Sequence, residues 1–244
     1  MSSVPIPPND ADRIRKLEEY SILDTLPEQD YDDITRLAAV ICETPISLIS
    51  LVDGHRQWFK SRVGLEAQET PREHAFCAHS IMTPDDVFVV NDASKDERFT
   101  QNPLVTGDPN IRFYAGAPLL APSGEALGTL CVIDQKPREL TLAQADALRL
   151  LSRLVVSQFE MRQDIEKIEQ SLLDQGDHVA RLEDYKRRME ESHANLRVQS
   201  VTDVLTGLLN RRGLRHQISE EFERAKREQT NLSLLMMDID KFKS

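Results

Sequence analysis

The stretch Ile111-Arg-Phe-Tyr-Ala-Gly-Ala-Pro-Leu119, followed after Pro122-Ser-Gly124 by Leu127-Gly-Thr-Leu-Cys-Val-Ile-Asp134, decides the fold class. Apolar, aromatic and β-branched residues dominate both arms, and the Pro-Ser-Gly link turns the chain back between them, so they read as strands Phe113 to Leu119 and Leu127 to Ile133. Working outward, Val87 to Val90 reads as another strand. Ile46 to Val52 alternates apolar with small polar residues, as a half-buried strand does, and Asp53-Gly54 is a tight-turn signal leading to a second arm at Gln57 to Val63. Helical stretches flank these strands. Asp10 to Tyr20 has Asp10 as a candidate cap, and Tyr31 to Cys42 carries Ile34, Leu37, Ala38 and Ile41 as one stripe before Pro45 breaks it. A short helix fits His74 to Met82. About five antiparallel strands with flanking helices make an α+β domain.

Composition narrows the function classes. The 244 residues carry 41 acidic against 30 basic side chains, a formal charge of −11. That balance argues against general nucleic-acid binding, which needs clustered Lys and Arg. The N-terminus is Pro-rich and polar, without the apolar region of a signal peptide. No apolar stretch approaches the roughly 20 residues that span a bilayer, so no membrane partner is expected. Cys42, Cys77 and Cys131 are few, odd in number and widely spaced, which suits reduced thiols and a cytoplasmic location.

From about Leu142 the helical pattern continues without a stop. With Leu151 as a heptad a position, the apolar a and d sites include Leu151, Leu154, Met161, Ile165, Ile168, Leu172, Val179, Leu182, Met189 and Leu196. The register never slips, which predicts a coiled coil and a homodimer, with a helix of roughly 85 Å. Gln158, Gln175, Lys186 and His193 weaken the seam, and Gly176 lowers helix propensity. A signalling stalk that changes register and an ordinary structural coil both fit this pattern. The expected divisions are 1–160 for the first domain, 161–200 for the stalk and 201–244 for the start of a further domain.

Several motifs in order, Asp96-Glu-Arg-Phe99, Asn102-Pro-Leu-Val105 and the two strand stretches above, resemble the GAF family of small-molecule sensor domains over roughly residues 10–160. The resemblance implies a six-stranded-type antiparallel sheet with a ligand pocket on one face and helices on the other. The ligand is left unidentified, because a fold does not name its ligand. Candidate ligand-holding residues are Asp92, Arg98, Arg112 and Tyr114, since an Arg on a pocket strand suits a carboxylate or phosphate. Salt bridges of Asp92 or Asp96 with those arginines explain the same residues. Cys77 and His79 on the short helix, with Cys131 on a late strand, admit a metal or haem site, thiol chemistry like that of the GAF-fold methionine sulfoxide reductases, or plain core packing. Core packing is favoured, because the three cysteines lack evident partners to lower a thiol pKa or complete a metal site. Bilin attachment wants His directly after the cysteine, and Ala78 stands there.

The last forty-odd residues carry a second resemblance. Asp203-Val-Leu-Thr-Gly-Leu-Leu-Asn-Arg-Arg212, an amphipathic helix and Leu232-Ser-Leu-Leu-Met-Met-Asp-Ile-Asp-Lys-Phe-Lys243 resemble the opening of the GGDEF family, the diguanylate cyclases that condense two GTP into cyclic di-GMP. Leu232 to Met237 is a continuous apolar run and reads as a strand. The resemblance implies that Asp238 and the carbonyl of Ile239 bind Mg²⁺, and that Lys241, Phe242 and Lys243 lie against the GTP phosphates. The second metal carboxylate and the guanine-reading residues belong to a signature expected further on. The 244 residues are therefore expected to be the sensory portion of a diguanylate cyclase, inactive alone, with Mg²⁺ and GTP belonging to the complete parent and no cofactor to this stretch. Asn210 is a good helix cap and Asp203 a turn residue. A stand-alone dimeric ligand-binding module is the alternative, and a methionine sulfoxide reductase a weaker one. A phospho-acceptor role for His193 in Glu191-Ser-His-Ala-Asn-Leu-Arg197 is disfavoured by its spacing and by the lack of ATP-binding glycines.

Overall fold

The computed structural model describes residues 4–237, and for 193–199 the backbone alone. Two compact units divide at Glu169/Gln170. In the first unit, α1 (Asp10–Glu19) and α2 (Gln29–Cys42) precede β1 (Ile46–Val52) and β2 (Arg56–Val63). Then come β3 (Glu69–Pro71), a 3₁₀ turn at Arg72–His74, α3 (Cys77–Ser80), β4 (Phe88–Val90) and α4 (Pro103–Thr106). The strands β5 (Phe113–Leu120) and β6 (Ala126–Asp134) lead into α5 (Leu142–Val201). All six strands pair antiparallel in the order β3-β2-β1-β6-β5-β4. The α+β sheet with flanking helices is as expected. The sixth strand, β3, is too short for its pattern to register in sequence, and it pairs only with the Arg56–Trp58 end of β2.

Each face of the sheet covers its own core. On one side α1, α2 and the start of α5 bury Leu17, Tyr31, Ala38, Leu148, Val155 and Phe159 against Ile49, Leu51, Leu130 and Val132. Phe159 meets the rings of Tyr20 and Tyr31 at 5.8 and 5.5 Å. On the other side, β-strand residues of opposite parity, including Leu48, Val52, Tyr114 and Cys131, pack under α3, α4 and the loops. Where β1 pairs β2 the register shifts at Ile49/Ser50. Trp58, Lys60 and Ser61 all turn toward the helices: Trp58 joins the helix-side core, Ser61 donates to Asp32 at 2.6 Å, and Lys60 reaches Thr25, Leu26 and Glu28.

Several readings need correction. β1, read as half-buried, is buried along its whole length because both faces of the sheet are covered. Asp10 caps nothing; Asn9 holds the cap position without a side-chain bond, and Asp10 instead pairs with Arg13 and Arg72, both at 2.8 Å. These two arginines tie α1 to the end of β1 and the turn after it, Arg13 donating to the Val52 carbonyl and Arg72 to that of Asp53. On α2 the buried stripe is Tyr31, Ile34, Thr35, Ala38, Ala39 and Cys42, while Leu37, Val40 and Ile41 face outward. Finally, Leu151 is buried in the helix-side core rather than free for a seam, because the first turns of α5 belong to the domain.

The start of α5 shows why it begins where it does. Thr141 and Gln144 form a reciprocal capping box, and Gln144 also donates to the Ile41 carbonyl at 3.1 Å. In the second unit, α5 runs to Val201, a turn follows and α6 spans Arg211–Glu228. Residues 231–237 form no strand, and Leu234, Leu235, Met236 and Met237 are exposed, which departs from the strand reading. A strand exists only when a neighbour accepts its ladder bonds, and no neighbour is present among the described residues.

Candidate ligand pocket and second-unit cap

The pocket lies on the sheet face away from α2. Its cavity of about 120 Å³ is bounded by Leu48, Phe59, Phe76, Tyr114 and Ile133, and by the loop at Asp108 and Pro109. Period-two alternation aims Leu48, Tyr114, Cys131 and Ile133 to this side, while α3 brings Phe76 and Cys77 down onto them. Phe76 stacks on Phe99 at 4.0 Å and on Tyr114 at 5.2 Å, so the wall is a rigid aromatic layer. Gly116 makes room for it: a Cβ there collides with the Tyr114 hydroxyl. The phenol therefore folds back across Gly116 toward β6.

There it enters a buried polar cluster. Thr129 Oγ1 donates to Cys77 Sγ at 2.9 Å, and Tyr114 Oη lies 3.2 Å from that sulfur and 3.3 Å from Thr129 Oγ1. Burial pushes the Cys77 thiol up, but hydrogen bonds from its neighbours, Cys131 first, outweigh this and bring it down to about 7. Burial, together with the hydrogen bond to Cys77, drives Cys131 well above the ordinary thiol value. Tyr114 likewise rises through burial and the nearby Cys77 charge. The expectation that no cysteine has partners is thus wrong for Cys77. Its partners come from β5 and β6, 37 and 52 residues away in sequence. The third thiol, Cys42, is raised to about 11 by burial in the other core.

Of the residues singled out for the ligand, the structure brings only Tyr114 to the cavity wall. Arg112 turns away and ties the loop, donating to the carbonyls of Val105 and Ile111 at 2.9 and 3.0 Å. Arg98 pairs with Asp96 at 2.5 Å and lies over the rings of Phe88 and Phe99. Asp92 pairs with Lys95 and caps Ser94, not an arginine. Hydrogen bonds from Ser94 and Lys95 hold Asp92 low, and that from Arg98 does the same for Asp96. His79 stacks on Phe88 and meets Phe99 edge-on, and burial with the Arg98 charge lowers its pKa further than Asp96 raises it. No cluster of three metal-ligating side chains exists among the described residues.

Sequence reasoning missed Gln57 and Thr70, which also line the cavity. They face each other across β2 and β3. The Asp53-Gly54 turn and the alternation of β2 mark the inward side of Gln57, but its partner sits on the unrecognised β3.

In the second unit Asp203 and Asn210 organise the turn between α5 and α6. Asp203 Oδ1 accepts from the backbone N–H of Leu205 and Thr206 and from the Thr206 hydroxyl. These bonds, led by the Thr206 hydroxyl, hold its carboxyl below the usual range. Gly207 takes φ +70°, a left-handed geometry that favours glycine. Asn210 caps α6, accepting from the Arg212 and Gly213 N–H groups, while its amide donates back to Ser200 and Thr202. Turn and cap were the readings of these two residues. Asp238, Ile239, Lys241, Phe242 and Lys243, read as half of a magnesium and phosphate site, lie outside the described residues, as does the Leu196 side chain. On α5 the seam residues Leu154, Met161, Ile165, Ile168, Leu172, Val179, Leu182 and Met189 are each at least half exposed.

Comparison with known proteins matches two family models, "GAF domain" over residues 27–161 and "Diguanylate cyclase, GGDEF domain" over residues 200–244. The chain is 42% identical over 159 residues to the cyclic di-GMP phosphodiesterase PA2567 of Pseudomonas aeruginosa, covering 64% of this chain and 27% of that protein. It is 28% identical over 133 residues to the diguanylate cyclase DgcP of Escherichia coli, covering 54% of this chain and 33% of that one. The chain thus spans about a quarter to a third of these curated relatives. Among solved structures, the GAF domain of an Acinetobacter phosphoenolpyruvate-protein phosphotransferase aligns with TM-score 0.48 and 17% identity, over 66% of this chain and 98% of that one. No helix among the described residues is long and apolar enough to cross a membrane.

Proposed function

The chain belongs to the GAF domain family, and from that premise we propose that it is the sensory and dimerising portion of a cyclic di-GMP signalling enzyme. A small molecule is read in the sheet pocket, and α5 carries the state of the domain to a catalytic domain that opens at about residue 200. One observation carries this reading. A single helix contributes Leu148, Val155 and Phe159 to the sensor core and continues without a break to Val201, where the second family match has begun.

The stalk is proposed to form a parallel coiled coil between two chains. The support is the row of exposed apolar residues from Leu154 to Met189, at the spacing that seeks a partner helix. In the parent, two catalytic domains each present one GTP so that each 3′-hydroxyl loses its proton, attacks the other's α-phosphorus and displaces pyrophosphate. Asp238 and the Ile239 carbonyl are the proposed Mg²⁺ ligands, with Lys241, Phe242 and Lys243 at the phosphates. The bound ion supplies charge neutralisation. A stalk with two packings would set whether the half-sites face each other.

The test uses the 244-residue protein with GTP and Mg²⁺, and then the product of the entire reading frame. The first should sediment as a dimer and form no cyclic di-GMP, while the second should form it. A second reading, hydrolysis of cyclic di-GMP by the whole protein, is favoured by the phosphodiesterase relative at 42% identity. Incubating the whole product separately with GTP and with cyclic di-GMP tells the two apart.

A further inference from the structure

The cavity wall holds two polar atoms that are buried and without a partner, Gln57 Oε1 and Thr70 Oγ1. Gln57 is only 5% exposed, and Gln57 and Thr70 are register partners on adjacent strands, so both belong to one end of the cavity. A buried acceptor without a donor is costly and recurs where a ligand supplies the missing group. Of the other polar groups in the lining, the Tyr114 hydroxyl and the Cys77 thiol already bond each other and Thr129. The remaining surface is apolar: Leu48, Phe59, Phe76 and Ile133 lie closest to the description of a hydrocarbon slot. Among the described residues that line it there is no Lys, Arg or His, and the one carboxylate is the exposed Asp108.

These features oppose an anion. Neither a carboxylate nor a phosphate finds a cation here, since Arg112 and Arg98 are engaged elsewhere. The size is also restrictive. A cavity of about 120 Å³ is of the order that admits a single six-membered ring. Resting on the reading of this pocket as the input site, we propose that its ligand is a small uncharged molecule of about one ring, with an apolar body and a hydroxyl or N–H donor directed at Gln57 and Thr70.

Phenol, toluene and benzoate, three probes of one ring that differ in this group, test the proposal by calorimetric titration of the dimeric 244-residue protein. Phenol should bind about tenfold more tightly than toluene, the worth of one hydrogen bond, and benzoate should bind weakest. Gln57→Leu should bring phenol to the level of toluene while leaving toluene unchanged, and should not lower the melting temperature, since it removes an orphaned acceptor. Thr70→Val provides the same comparison if Gln57→Leu fails to fold. Equal binding of phenol and toluene by the native protein, or a phenol preference that survives both substitutions, overturns the donor assignment and leaves the pocket reading standing. Benzoate binding as tightly as phenol overturns the exclusion of anions. Binding of none of the three overturns the proposal, and the pocket reading falls with it only if a broader screen of nucleotides and small anions also shows no binding.

Discussion

Replacing Tyr114 with Phe removes the hydroxyl that bonds the buried thiol of Cys77 and the Thr129 hydroxyl, and keeps the ring that packs on Phe76. Folding brings this thiol from an ordinary value of 9.0 to about 7, with Tyr114 among its donors. A hydrogen bond to a charged group contributes about 1.5–3 kcal/mol, which equals about one to two pKa units. In Tyr114→Phe the Cys77 midpoint should therefore rise above about 7, by less than the whole shift because Cys131, Ser50 and Thr129 still bond the sulfur. Because the folded value lies below the unfolded one, the thiolate stabilises the fold above the unfolded pKa, and this contribution disappears as pH falls through about 7. Stability should thus increase from pH 7 toward pH 9 in the native protein, and this increase should be smaller in Tyr114→Phe. Cys42 and Cys131 act in the opposite sense at higher pH, since burial raises both; Cys42 does so equally in the two proteins, while Cys131 rises further in Tyr114→Phe because Tyr114 also bonds it. The direct assay is ultraviolet thiolate absorbance against pH, with Cys77→Ser as the blank, alongside urea unfolding at the two ends of the window. An unmoved midpoint in Tyr114→Phe refutes the reasoning, and so does a midpoint that falls.

Three other perturbations separate structural from binding roles. Glutamates at Ile168, Leu172 and Leu182 together should convert a dimer to a monomer in sedimentation; an unchanged mass places the dimer interface elsewhere. Arg112→Ala should lower stability by about 1–3 kcal/mol through loss of the bonds to Val105 and Ile111, while phenol affinity in calorimetry stays as in the native protein. Asn210→Ala should destabilise the α6 N-terminus by about 1–2 kcal/mol, seen as faster amide exchange at Arg212 and Gly213, whose N–H groups it accepts.

Local chemistry carried the reading of the elements. The alternation of β1, the apolar and aromatic character of β5 and β6, the Asp53-Gly54 and Pro122-Ser-Gly124 turns, and the cap at Asn210 each depend on residues within a few positions of one another. Such signals survive without knowledge of the fold. The α2 stripe did not survive it, because Leu37 and Ile41 are as apolar as Ile34 and only the packed sheet distinguishes the inner face from the outer. Leu151 shows the same ambiguity on α5, where one heptad pattern serves the domain core first and an exposed seam afterward.

By itself, the sequence determined the α+β class, the order of the elements, both family resemblances and the long helix between them, since these follow from periodicity, turn residues and contiguous motifs. Only the tertiary structure decided which polar groups face the cavity and which of them are already bonded. It turned Arg112 onto backbone carbonyls, set Cys77 against Tyr114 and Thr129, and left Gln57 and Thr70 with unpaired polar atoms in an apolar cavity. Each of these is a side-chain partnership across strands or loops distant in the chain. A side chain's charge and bonding capacity are written in the sequence, but whether a neighbour has already satisfied them depends on where the fold places that neighbour.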